Sequence, residues 1–90
     1  MSCRIFLVSG RVQGVFFRQS TLKQARQLNL SGYAKNLEDG RVEIIACGSS
    51  SAIRVLGEWL QDGPPLAHVE EVETQEMTMT SSFSGFSIRS

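Results

Sequence analysis

The stretch GYAKNLEDGRVEIIAC, residues 32–47, sets two strand-like arms on either side of Glu38-Asp39-Gly40. Asp-Gly is a strong signal for a tight reversal, because glycine accepts a left-handed backbone without steric cost. In the second arm Val42, Ile44 and Ala46 share one face, while Arg41, Glu43, Ile45 and Cys47 share the other. That period-2 alternation belongs to a strand. The stretch reads as a hairpin, and what lies on either side of it decides the architecture.

Upstream, Phe17, Thr21, Ala25 and Leu28 recur at helical spacing, with Lys23, Gln24, Arg26 and Gln27 off the stripe. Asn29 tolerates the left-handed turn that ends a helix, and Ser31-Gly32 continue the break. Ahead of that helix, RIFLV at 4–8 reads as a short strand buried on both faces. Downstream, Ser49, Ser50 and Ser51 offer N-caps for a second helix with Ile53, Leu56 and Leu60 as its buried stripe and Trp59 beside it. Gly63-Pro64-Pro65 stops it. Val69 and Val72 are three apart, which predicts a strand with a bulge or an offset start. Thr78–Ser84 is polar and reads as a loop, and Phe86 and Ile88 alternate as in a short last strand. The order predicts an α+β fold, the ferredoxin-like βαββαβ sandwich: a mainly antiparallel sheet with two helices on one face.

With 90 residues, the chain has room for one domain, taken as 1–90. No apolar run approaches the ~20 residues that span a bilayer, so no membrane partner is expected. The start MSCRIFLVSGR is not a convincing signal peptide, its apolar run Ile5–Val8 being too short, and the expected location is cytoplasmic. Net charge is zero but unevenly spread. Residues 1–41 carry seven Lys or Arg against two acids, a net +5, and residues 42–90 carry two against seven, a net −5. A positive half around a glycine loop points to a small anionic ligand. A neutral total argues against a large nucleic-acid footprint. Cys3 and Cys47 are too far apart for a CxxC motif and read as free thiols in a reducing cytosol, unless the fold brings them together.

The loop between the first strand and first helix is GRVQGVFFRQS, residues 10–20, without an acid. Amides at a helix start are unpaired and carry partial positive charge. Glycines let successive amides converge on one point, and Arg18 can fork onto two oxygens of one anion. Such a site suits a phosphate group. Neither the Walker ending Gly-Lys-Ser/Thr nor G-x-G-x-x-G is present, so a nucleotide is not indicated. The plainer reading is a tight strand-to-helix turn with a surface arginine.

GRVQGVFFR, followed by GYAKNLEDGRVEIIACG, closely resembles the acylphosphatase family. That family's signature regions are a G-x-V-Q-G-V-x-[FY]-R loop and a G-[WY]-x-x-N strand followed by a D-G turn. Both stand here complete and in order, and the resemblance covers nearly the whole chain, least well from Thr74 to Ser84. It implies a monomeric enzyme that hydrolyses the carboxyl–phosphate bond of small acyl phosphates. The family's catalytic arginine falls on Arg18 and its catalytic asparagine on Asn36. The phosphate cradle falls on Arg11, Val12, Gln13, Gly14, Val15, Phe16 and Phe17, mainly through their amides, together with Arg18.

The chemistry agrees with that assignment. Phosphoryl transfer asks mostly for positioning and charge stabilisation. A carboxylate leaves without a proton, since its acid has a pKa of roughly 4, so no catalytic His or Asp is needed. No cofactor or metal is expected: His68, the only histidine, has no partner at ligand spacing. The acids of 70–76 read as a solvated strand face. Asn36, a neutral amide, would hold the attacking water.

Under the implied fold the first strand runs antiparallel to the third, so Cys3 and Cys47 could approach within disulfide reach. The expected core is Ile5, Leu7, Ala25, Leu28, Val42, Ile44, Ala46, Ile53, Leu56, Leu60 and Ile88. One of Phe16 and Phe17 is expected to pack under the loop, leaving the other to wall the acyl pocket. The competing reading is a non-catalytic phosphate- or RNA-binding module on the same sandwich, since fold alone does not decide function. Phe6 and Tyr33 offer sheet aromatics but no RNP signature.

Overall fold

The computed structural model describes residues 2–78 and 83–89. The elements run β1 (Ser2–Arg11), α1 (Phe17–Gln27), β2 (Ser31–Asn36), β3 (Val42–Gly48), α2 (Ser50–Asp62), β4 (His68–Met77) and β5 (Phe86–Arg89). The strands form one sheet in the order β4-β1-β3-β2-β5. All neighbours are antiparallel except β5, which lies parallel to β2. Helix α1 packs over β2 and β5, and α2 over β4, β1 and β3. This is the ferredoxin-like sandwich, extended at the β2 edge by β5. Within the stretch Thr78–Ser84, read as a loop, residues 79–82 lie outside the described residues.

The helix ends follow local chemistry. Asn29 adopts φ 58°, and Leu30 N–H reaches back to the Ala25 carbonyl at 2.9 Å while Asn29 N–H reaches Arg26 at 3.1 Å. That pair of bonds satisfies the last carbonyls of α1 and turns Leu30 into the core. At the other helix, the Ser49 hydroxyl accepts from Ala52 N–H at 3.2 Å. The spacing of Val69 and Val72 is explained by a bulge. Val8 pairs with Val72 and Gly10 with Val69, which leaves Glu70 without an opposite residue. Gly10 sits at φ 120°, and a Cβ there would run into the His68 carbonyl and come within 2.8 Å of Glu70 N.

The core lies between the helices and one face of the sheet. Ala25, Val42, Ile44, Ala46, Ile53, Leu56 and Leu60 are in it as expected. Ile5 and Leu7 are not: Phe6 and Val8 take the helix-facing positions, and Ile5 and Leu7 are half-buried on the open face. A strand covered on one side alternates, and RIFLV is apolar in both phases, so its composition could not choose. Leu28 packs only partly buried against the core. Ile88, near the end of the edge strand β5, stays 36% exposed while Phe86 is buried. On the open face Cys3 lies opposite Cys47, and the two form a disulfide with Cα atoms 4.1 Å apart. The free-thiol reading is corrected: antiparallel register sets these side chains against each other.

Candidate active site

The loop from β1 to α1 is anchored at both ends. Val12 and Phe17 are each 1% exposed, and Phe17 packs against Trp59 with ring centroids 6.0 Å apart. Between the anchors the backbone is left-handed at Gly14 (φ 77°) and Phe16 (φ 62°), with Val15 at negative φ. Alternation of this kind turns successive N–H groups toward one side. A bulky residue at positive φ costs about 1–3 kcal/mol and persists only where its surroundings hold it. Of the two phenylalanines, Phe17 is therefore the one packed beneath the loop, while Phe16 stands 67% exposed.

Helix α1 starts without a side-chain cap and without an acid in its first turn. Its first intrahelical bond is Ser20 N–H to the Phe16 carbonyl at 3.0 Å, so the amides of Phe17, Arg18 and Gln19 have no partner within the helix. No acid in that turn offsets the positive end of the dipole. A Cβ built on Gly14 would meet nothing within 4 Å among the described residues. Unpaired amides at a helix start are the kind of group on which proteins bind anions.

Two clamps tie this loop and the start of α1 to the strand that carries Asn36. The Gln13 side chain leaves the loop and crosses to the β2–β3 turn, where its Nε2 donates to the Leu37 carbonyl at 2.8 Å and the Arg41 carbonyl at 2.9 Å. The turn is itself braced: Leu37 N–H donates to the Arg41 carbonyl at 2.8 Å, and Asp39 accepts from Arg41 N–H at 3.1 Å and Nε at 2.8 Å. The hydrogen bond from the Arg41 amide, reinforced by its guanidinium, holds the Asp39 carboxyl below the usual range. The second clamp is Arg18, whose Nη1 donates to the Arg89 carbonyl at 2.9 Å. Arg89 pairs with Lys35 across the parallel β2–β5 ladder. The loop is thus tied to the residue after Asn36, and Arg18 to the strand partner of the residue before it.

Asn36 shares the helix-facing side of β2 with Gly32 and Ala34, opposite Val42. Its Oδ1 is buried and has no hydrogen-bond partner among the described residues. An unpaired buried acceptor costs about 1–3 kcal/mol, and such groups concentrate where a ligand or water completes them. Of the expected cradle residues, Val12 and Phe17 are buried, Val15 packs on the core, and Gly14 and Phe16 face solvent. Arg11, the last residue of β1, is exposed and pairs with His68. Among the described residues no three His, Cys, Asp or Glu side chains gather as metal ligands would.

Sequence reasoning missed the Arg89 carbonyl, a backbone atom that carries no residue-type signal. It also missed that the Gln13 side chain serves the turn rather than the loop interior. Tyr33, the aromatic on which an RNA-binding reading leans, is already engaged. Its hydroxyl donates to Glu43 Oε1 at 2.8 Å, and Arg89 lies over its ring at 4.3 Å from the centroid. Burial, followed by the hydrogen bond to Glu43 and its charge, pushes the Tyr33 phenol up to about 12, against the opposing pull of Arg89.

The chain as a whole is similar to known proteins. The acylphosphatase family model matches residues 4–88. An acylphosphatase of Alkalilimnicola ehrlichii is 60% identical over 70 residues, covering 78% of this chain and 79% of the relative. One from Coxiella burnetii is 47% identical over 88 residues, 98% of this chain and 92% of the relative. The crystal structure of acylphosphatase from Bacillus subtilis superposes with a TM-score of 0.96 at 36% identity, over 100% of both chains.

Proposed function

The chain belongs to the acylphosphatase family, and from that premise we propose how its own residues carry out the hydrolysis of an acyl phosphate. The phosphoryl group sits on the amides between Gly14 and Gln19, with the Arg18 guanidinium on two of its oxygens. Water held by the Asn36 side chain attacks phosphorus in line with the acyl oxygen. The new bond joins water oxygen to phosphorus, the bond between phosphorus and the acyl oxygen breaks, and the carboxylate leaves with the electron pair. The water proton passes to a phosphoryl oxygen, so the products are a carboxylate and inorganic phosphate. The leaving group, with a conjugate-acid pKa of roughly 4, departs unprotonated. Arg18 and the amides stabilise charge on the equatorial oxygens, where phosphoryl transfer concentrates it.

The observation that carries this reading is the buried Oδ1 of Asn36, which has no partner among the described residues; the Gln13 clamp reaches the next residue, Leu37. An amide oxygen accepts one water hydrogen and so orients the lone pair without acting as a base. Arg18→Ala and Asn36→Ala should each lower kcat by on the order of 100- to 1,000-fold while circular dichroism stays that of the parent. Asn36→Ala with activity within twofold of the parent refutes the water-holding role. Exhaustive chelation should leave turnover unchanged, because arginine and amides supply the charge; a loss that added metal restores overturns the metal-free scheme.

We also take the enzyme to act as a monomer in the cytoplasm on a small diffusible substrate. Sedimentation equilibrium and cell fractionation test that. In such a reducing compartment the fold must either retain the Cys3–Cys47 bond or remain stable without it.

A further inference from the structure

We infer that Tyr33 is a positioning residue for Arg18, acting through Arg89; this rests on the reading of Arg18 as the phosphoryl-binding arginine. The carbonyl that Arg18 uses belongs to the last residue of β5, a four-residue strand at the edge of the sheet. Such an end has a single neighbouring strand and frays readily. Here it is held from the other side of the sheet. Arg89 stacks on the Tyr33 ring at 4.3 Å and lies 5.8 Å from the centroid of Phe83, which meets Tyr33 edge-on at 5.9 Å. Tyr33 cannot swing away, because its hydroxyl is bonded to Glu43 on the neighbouring strand at 2.8 Å. One residue thus presents two handles: the Arg89 side chain locked on the open face, and the Arg89 carbonyl receiving Arg18 at 2.9 Å.

The contact is with the backbone of Arg89, so any substitution at 89 keeps the acceptor and changes only how firmly it is held. Tyr33 lies on the opposite face of β2 from Asn36, since Asn36 shares its face with Gly32 and Ala34. An effect of Tyr33 on phosphate binding therefore has to travel through β5 and Arg18.

The test measures inorganic phosphate affinity, as a competitive inhibition constant and by calorimetry, in the parent and in Arg18→Ala. Loss of one aromatic–guanidinium stack corresponds to roughly a two- to fivefold effect. Tyr33→Leu and, separately, Arg89→Met should each weaken phosphate binding by that factor in the parent. Tyr33→Trp, which keeps an aromatic face but loses the bond to Glu43, should recover part of it relative to Tyr33→Leu. In the Arg18→Ala background the same substitutions should change nothing further. Equal weakening in both backgrounds, or none in the parent, overturns the inference while leaving the role of Arg18 standing. If Arg18→Ala itself binds phosphate as the parent does, the reading of Arg18 falls and the inference with it. Arg89→Met also covers the case in which Tyr33→Leu fails to fold.

Discussion

Removing the Cys3–Cys47 bond should cost a large share of stability and almost none of the catalytic rate. The bond closes a loop with a sequence separation of 44. In the chain-entropy relation a loop of that length corresponds to about 13 cal/mol/K, or about 4 kcal/mol at 25 °C. A domain of this size has total stability on the order of 5–13 kcal/mol. Its unfolding entropy is roughly 190 cal/mol/K near the midpoint, so the same loss lowers Tm by about 20 °C. Activity should not follow. Cys3 and Gly10 lie on the same strand, and seven residues at ~3.3 Å each separate them by roughly 23 Å. The assay is urea unfolding of oxidised parent, reduced parent and Cys3→Ala/Cys47→Ala, followed by the fluorescence of Trp59, the single tryptophan. Turnover is measured alongside at 25 °C. A loss below about 1 kcal/mol would mean that the unfolded chain is already restricted in this region and that the loop argument does not apply. A fall of more than twofold in kcat for folded, reduced enzyme would show that the two ends of β1 are coupled, contrary to the reasoning.

Two further outcomes follow from the site. Gln13→Ala removes both bonds from the loop to the turn, which should lower stability by about 1–3 kcal/mol; because Asn36 and the cradle then lose their common reference, kcat/KM should fall on the order of tenfold or more, and unchanged kinetics would show that the clamp is dispensable. Tyr33 is the only tyrosine, so ultraviolet titration should give one midpoint near 12 instead of 10, and Glu43→Gln should move it back toward the ordinary value. Its raised pKa means that the folded state holds the proton longer: the stabilisation is complete below pH 10 and drains away as pH rises from about 10 to about 12. A parent midpoint near 10 would deny both the burial of the phenol and its hydrogen bond to Glu43.

Much of the architecture was legible because it is written in local chemistry. Asp39-Gly40 turns the hairpin, Asn29 closes α1 with a left-handed residue, and Ser49 caps α2. The three-residue spacing of Val69 and Val72 allowed a bulge or an offset start, and the ladder shows the bulge, at Glu70. The glycine loop pointed to a strand-to-helix turn, and α1 does start directly after it. Each of these signals lies within a few residues of its effect.

What the chain could not disclose on its own concerns faces and distant partners. RIFLV is apolar in both phases, so only the one-sided placement of the helices sent Phe6 and Val8 inward and left Ile5 and Leu7 on the open face. Cys3 and Cys47 became partners only through the register of β1 against β3. The contact between Arg18 and the Arg89 carbonyl spans 71 residues, and a carbonyl is the same atom in every residue, so no pattern of side chains could point to it. Local sequence determined which segments curl, extend and turn; the packing of those segments decided which groups meet, because contact across a sheet depends on register and cover that no single segment contains.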